Sequence, residues 1–242
     1  MKFNIKNYID THNSVMSSLD LIEIEKAIQL ISDKSSAGKT IAVCGNGGSA
    51  LAASHYITDW NKMVNLQTGK RFSGLCLSDN IGLVTAYAND LSYNDIYSEQ
   101  VRNLLLPGDL LITVSGSGNS QNVVRATEVA NDIGVKTLTI CGYDGGQLKE
   151  ISNSHVWIRS FDMQICEDAH LLFGHFCIPV MNFAMNQNIV KVKNNDSDKK
   201  NAVSIASHTV YQLVGDAPEG YRHLPQNSGH SSRSPEIKLS PR

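Results

Sequence analysis

The sequence of 242 residues has no uninterrupted run of about 18 apolar residues, so it offers no segment of the length a membrane-spanning helix needs. Its first residues, "MKFNIKNYIDTHNSVM", also lack the apolar stretch of a secretion signal, and the two absences predict a soluble, cytoplasmic protein. Charge imbalance is missing as well: 21 Lys and Arg stand against 23 Asp and Glu, a formal charge of −2. No overall field exists to hold nucleic acid or an anionic membrane, so any anion site must be local. The five cysteines (Cys44, Cys76, Cys141, Cys166 and Cys177) are odd in number and show no C-x-x-C spacing. That excludes a disulfide framework and a cysteine-based zinc site, and predicts buried, reduced thiols. No internal repeat of solenoid period is present.

What is present is enough apolar sequence, 41% of the chain, to bury one large core. From Ile5 to Lys34 apolar residues recur mostly every three or four positions, with a break near Asp20, which predicts two amphipathic helices. The rhythm then changes. "TIAVCG" (40–45), "GLCLS" (74–78), "DLLITVSGSG" (109–118), "KTLTICG" (136–142) and "HVWIRS" (155–160) are short and β-rich, and helix-length segments separate most of them. Apolar strands alternating with helices predict a doubly wound α/β fold, a parallel sheet covered on both faces in an αβα sandwich.

Residues 167–186, "EDAHLLFGHFCIPVMNFAMN", read as a buried helix that Pro179 should kink or weaken. The domain is expected over 1–190, and 191–242 reads as a polar, flexible tail rich in Gly, Pro and Ser. Within that tail "AVSIASHTVYQLV" (202–214) fits a strand or a short helix equally well.

In such a sheet, ligands bind where strand ends lead into helix N-termini, which present free N–H groups. Two turns qualify. In "CGNGGSA" the glycines at 45, 47 and 48 allow close approach by a ligand and Ser49 adds a hydroxyl, although a plain strand-to-helix turn would use the same glycines. In "VSGSGNSQNV" (114–123), Ser115, Ser117 and Ser120 precede a helical pattern. One serine suffices for an N-cap, so the surplus points to a compact anion such as phosphate. A dinucleotide is disfavoured. The ribose-binding acid belongs about 20 residues beyond the glycines. Asp59 instead falls inside the first crossover helix, and Asp79 lies about 30 residues on.

Five spaced words, taken in order, resemble the sugar isomerase (SIS) family and, within it, the phosphoheptose isomerases. They are "GNGGS" (45–49) with His55 six residues later, "AYANDLSYNDIYSEQV" (86–101), "GDLLITVSGSGNSQNVVRA" (108–126), "GYDGG" (142–146) and "ICEDAHLLFGH" (165–175). The resemblance spans about residues 5 to 190 and implies the SIS fold with N-terminal helices. It also implies conversion of sedoheptulose 7-phosphate into D-glycero-D-manno-heptose 7-phosphate for bacterial surface glycans, in a homotetramer with sites at subunit contacts. By this resemblance Ser49, Ser115, Ser117 and Ser120, with Gly47 and Gly116, hold the phosphate end, and Asn46 and Asp90 contact substrate. Asp59 and His175 are the acid/base pair, and zinc, where family members bind it, would fall to His55, Asp59, Glu167 and His175.

An enediol isomerisation needs a base to move a proton between adjacent carbons and a group to stabilise the oxyanion. His55 and Asp59, four residues apart on a helix, reach a common point, the spacing of a chelating pair. Two residues depart from the family pattern. Asp59 stands for Glu, one methylene or about 1.5 Å shorter, and shifts of about 1 Å can cost roughly 100-fold. Glu167 stands for Gln, which adds a negative charge and would suit a divalent cation. Glu167 and His175 are also eight residues, about 12 Å, apart on a straight helix. Either a bend, another subunit or a water closes that gap, or Glu167 pairs with His170 at i, i+3, although a core or interface histidine is the slightly favoured reading of His170. Two alternatives stay open: a non-catalytic SIS binding protein of the replication-initiator-associating type, and a SIS isomerase of another phosphosugar.

Overall fold

The computed structural model describes residues 4–194, with side chains as far as Phe183. Helix α1 (Ile5–Ser17) begins at Asn4, whose side chain accepts from the Lys6 N–H. Helix α2 (Leu21–Ser36) begins at Asp20, whose carboxylate accepts from the N–H groups of Ile22 and Glu23. That cap is why the amphipathic pattern breaks at Asp20. There follow β1 (Ile41–Gly45), α3 (Gly48–Thr68), β2 (Gly74–Cys76), α4 (Ile81–Asp90), a 3-10 turn (Tyr93–Asp95) and α5 (Ser98–Leu104). The remainder is β3 (Leu110–Ser115), α6 (Gln121–Asp132), β4 (Lys136–Cys141), α7 (Gly146–Ile151), β5 (Ser154–Trp157) and α8 (Met163–Asn194).

The five strands lie in the order β2-β1-β3-β4-β5, all parallel. Each expected strand segment is therefore a strand, and their side chains alternate between two cores. Ile41 and Val43 of β1 pack with Ile28, Tyr56, Trp60 and Phe173 from α2, α3 and α8. Ala42 and Cys44 point the other way, toward Val101, Val123 and Ala126 of α5 and α6. The result is the three-layered α/β sandwich that the sequence predicts.

The seam between α3 and α8 fixes the later geometry. Tyr56 stacks on Trp60, with ring centroids 5.1 Å apart, and both are fully buried. The Trp60 indole donates to the Gly174 carbonyl at 3.0 Å, and the Tyr56 hydroxyl donates to the His170 carbonyl. A side chain at Gly174 would collide with the Tyr56 ring, so glycine is what lets the helices close.

All five cysteines are buried and unpaired, as expected. Burial pushes the Cys76 and Cys141 thiols up to about 12 and raises Cys44, Cys166 and Cys177 as well, so none is primed as a nucleophile. Helix α8 runs without interruption through Pro179, which has no N–H and so deprives the His175 carbonyl of its usual i+4 partner. The helix also continues to Asn194, four residues beyond the expected domain boundary at 190. The 202–214 segment and the rest of the expected tail, from 195, lie outside the described residues. Among the described residues no helix is long and apolar enough to cross a membrane.

His170 is a core histidine rather than a partner of Glu167. It is fully buried, and neither ring nitrogen has a hydrogen-bond partner, so no Glu167–His170 pair forms. Burial pushes its imidazole from 6.5 down to about 4. Because the folded value is the lower one, the unfolded chain takes up the proton first as pH falls. Stability is then lost from about pH 6.5 down to about 4, by on the order of 3 kcal/mol in all. Melting temperatures measured across that window should fall less steeply for His170→Met than for the unmodified protein. Superimposed acid limbs would show that His170 is not the group responsible.

Candidate active site

The chain leaves β1 toward β2 on one side, while β3 flanks β1 on the other, so a crevice opens between the ends of β1 and β3. Gly45 is in register with Val114, and the turns after the two strands therefore start level with each other. A Cβ on Gly45 would come within 2.8 Å of backbone atoms of Ser49 and Val114, which is why glycine stands where α3 begins. The Gly45 carbonyl accepts from the hydroxyls of Tyr97 and Ser78, pinning the strand end. Gly47, at φ +53°, caps α3 without a side-chain bond, so no side chain claims the first N–H groups of the helix. Ser49 is buried in that first turn.

The turn after β3 is braced from behind. Ser115 accepts the Gly118 N–H at 3.2 Å, and Ser117 accepts that of Asn119 at 3.2 Å. Ser120 is the N-cap of α6, yet its hydroxyl makes no capping bond. The segment 142–148, which contains the "GYDGG" word, holds the loop through Gly142 N–H to the Gly116 carbonyl and Leu148 N–H to the Gly118 carbonyl, both at 3.0 Å. Gly118, at φ +66°, lies so close to the Gly145 carbonyl that no side chain would fit.

Farther along α3, its packing against α8 brings three side chains together. The Nε2 atoms of His55 and His175 are 3.1 Å apart, and Asp59 Oδ2 lies 3.0 Å from the first and 4.0 Å from the second. A tetrahedral ion bound at about 2.0–2.1 Å separates its ligand atoms by roughly 3.3 Å, and these distances bracket that value. Two imidazoles and a carboxylate are also a zinc-type donor set. Glu167 is not part of this cluster. Its carboxylate lies against Gly48 at the start of α3, where a Cβ would collide with it and where the helix dipole favours negative charge. Four expected ligands thus become three, and Glu167 has no hydrogen bond or ion pair among the described residues.

Asp90, at the end of α4, is exposed and accepts from the Asn89 side chain at 2.8 Å. Its segment reaches the crevice through Tyr93, whose hydroxyl donates to Asn46 Oδ1 at 3.3 Å. Asn46 is further bonded in both directions to Asn122, on the first turn of α6. Sequence reasoning passed over Tyr93 and Asn122, although both lie in words that carried the resemblance.

Residues 7–142 match the model of the SIS domain family, and that match defines the class. The chain is 32% identical over 173 residues to the phosphoheptose isomerase of Aliarcobacter butzleri, covering 71% of this chain and 91% of that one. It is 41% identical over 135 residues to that of Helicobacter pylori strain Shi470, covering 56% and 70%. A solved phosphoheptose isomerase from Francisella tularensis shares the fold, with a TM-score of 0.69, 23% identity and coverage of 74% and 96%. The chain belongs to the phosphoheptose isomerase family of SIS-domain proteins.

Proposed function

We propose that this chain is an aldose–ketose isomerase that converts sedoheptulose 7-phosphate into D-glycero-D-manno-heptose 7-phosphate, for surface-glycan heptose. The observation that carries this reading is the convergence of His55, Asp59 and His175 on one point, in a chain whose β1 and β3 turns start level with each other. Ser117 and Ser120, with the backbone N–H groups around Gly116 and Gly118, take the phosphate, while Ser115 braces their loop. Ser49 and Gly47 join them at the phosphate end, and Asn46 and Asp90 face the sugar chain. In the metal-free site Asp59 and His175 move the proton between C1 and C2, and with zinc on their facing atoms the second Asp59 oxygen would do so. Glu167, at the start of α3, serves the sugar hydroxyls as an acceptor.

We assign His55, Asp59 and His175 as the residues that would hold zinc, which supports the reading because three protein ligands and one free position is the pattern of catalytic zinc sites. Bound there, the ion would polarise the oxygens at C1 and C2. The chain itself acts as a cytoplasmic homotetramer. In support, α4 buries none of its residues despite the sequence "IGLVTAYAND", and Leu51 and Ile81 are 74% and 66% exposed. Sedimentation should give the mass of four chains of 26.5 kDa, and a monomer would refute the assembly.

The activity is tested by assaying purified protein, with and without zinc, against sedoheptulose 7-phosphate and against five- and six-carbon ketose phosphates. Turnover should be at least about tenfold faster on the seven-carbon substrate. Faster turnover of a shorter sugar would reassign the substrate.

A further inference from the structure

Asn122 is 2% exposed, and its Oδ1 and one of its Nδ2 hydrogens are engaged inside the protein. Its Oδ1 accepts from the Val123 N–H at 3.0 Å and from Asn46 Nδ2 at 2.8 Å, while its Nδ2 donates to Asn46 Oδ1 at 2.9 Å. The order of dependence is set by the backbone. A peptide N–H can only donate, so Val123 fixes which end of the Asn122 amide is oxygen. The reciprocal pair then fixes which end of Asn46 is oxygen, and the Tyr93 hydroxyl, at 3.3 Å, takes a further place on that oxygen. One Asn46 N–H is left over as a directed donor. The link also spans the crevice, because Asn46 follows β1 and Asn122 opens α6, the helix entered from the serine turn.

We infer that Asn122 is a positioning residue, which acts through Asn46 to present a single amide N–H to an oxygen of the sugar. This rests on the reading of Asn46 as a substrate contact. Asn122→Asp keeps the size and the two acceptor roles but removes the donor, setting a carboxylate oxygen against Asn46 Oδ1. Turning the Asn46 amide over would only set its oxygen against the other carboxylate oxygen, so in either orientation one N–H···O bond is joined by one O···O contact, and the Asn46 side chain should withdraw from the pair.

With sedoheptulose 7-phosphate as substrate, Asn122→Asp and Asn122→Ala should each raise KM about tenfold or more, with kcat changed by less than about twofold, as for lost ground-state binding. In an Asn46→Ala background the same substitutions should add less than about twofold, because the residue through which Asn122 acts is gone. Equal losses in both backgrounds would overturn the inference. A measurement independent of turnover is the crystal structure of Asn122→Asp, in which the Asn46 side chain should have moved away from residue 122. An Asn46 side chain unchanged in that structure would overturn the inference even if the enzyme acts on another sugar. Inactivity of the unmodified protein alone would instead count against the heptose reading.

Discussion

Asp59→Asn is expected to lower turnover of sedoheptulose 7-phosphate by about 100-fold or more, the scale on which a positioned acid/base group contributes. The substitution keeps the side chain's size and removes its charge. Asp59 Oδ2 stands 3.0 Å from His55 and 4.0 Å from His175, so the neutral amide would disturb both partners. His175→Ala should be similarly damaging. The double variant should be little worse than either single one, because groups that act as a unit lose their benefit together. Melting temperature should hardly move, since the side chains of Asp59 and His175 are 29% and 48% exposed and lie outside the core. Steady-state kinetics beside thermal denaturation separate the cases. Losses that simply multiply in the double variant would mean that the two residues work independently.

The second large effect is expected at the turn after β3. A hydroxyl that donates to a charged group contributes about 1.5–3 kcal/mol, so replacing both Ser117 and Ser120 by alanine should weaken sugar-phosphate binding at least roughly tenfold. The fold should survive. Ser120 makes no capping bond that alanine would break, and although Ser117→Ala removes the bond from the Asn119 N–H, the brace from the backbone of 142–148 and from Ser115 remains. Calorimetry with sedoheptulose 7-phosphate reads the change, and unaltered affinity would remove the phosphate from this turn.

The layered fold was legible because its signals are local. Each strand is a short apolar run that has to be covered on both faces, and Asp20 marks a helix start by its own chemistry. His55 and Asp59 were legible for the same reason, since helical geometry alone brings residues i and i+4 together. The position of Glu167 was not. It depends on how α8 seats on α3 along the Tyr56, Trp60 and Gly174 seam, and contacts between residues more than 100 positions apart leave no periodic trace. Asn122 was hidden likewise, because its partner lies 76 positions away and a lone Asn in a helix's first turn reads as ordinary capping. Pro179 is a local signal of weakening, since it leaves the His175 carbonyl without its i+4 partner, and burial of Cys177, Ile178 and Met181 keeps the helix running past it.

The central claim is that the crevice isomerises a seven-carbon sugar phosphate. It is tested most directly by carbon NMR of sedoheptulose 7-phosphate labelled at C2, incubated with zinc-replete protein. Isomerisation should convert the ketose signal at C2 into that of a secondary alcohol carbon, and Asp59→Asn should suppress the conversion. A C2 signal that stays that of the ketose, in the presence of folded protein, would contradict the catalytic account and favour a binding protein.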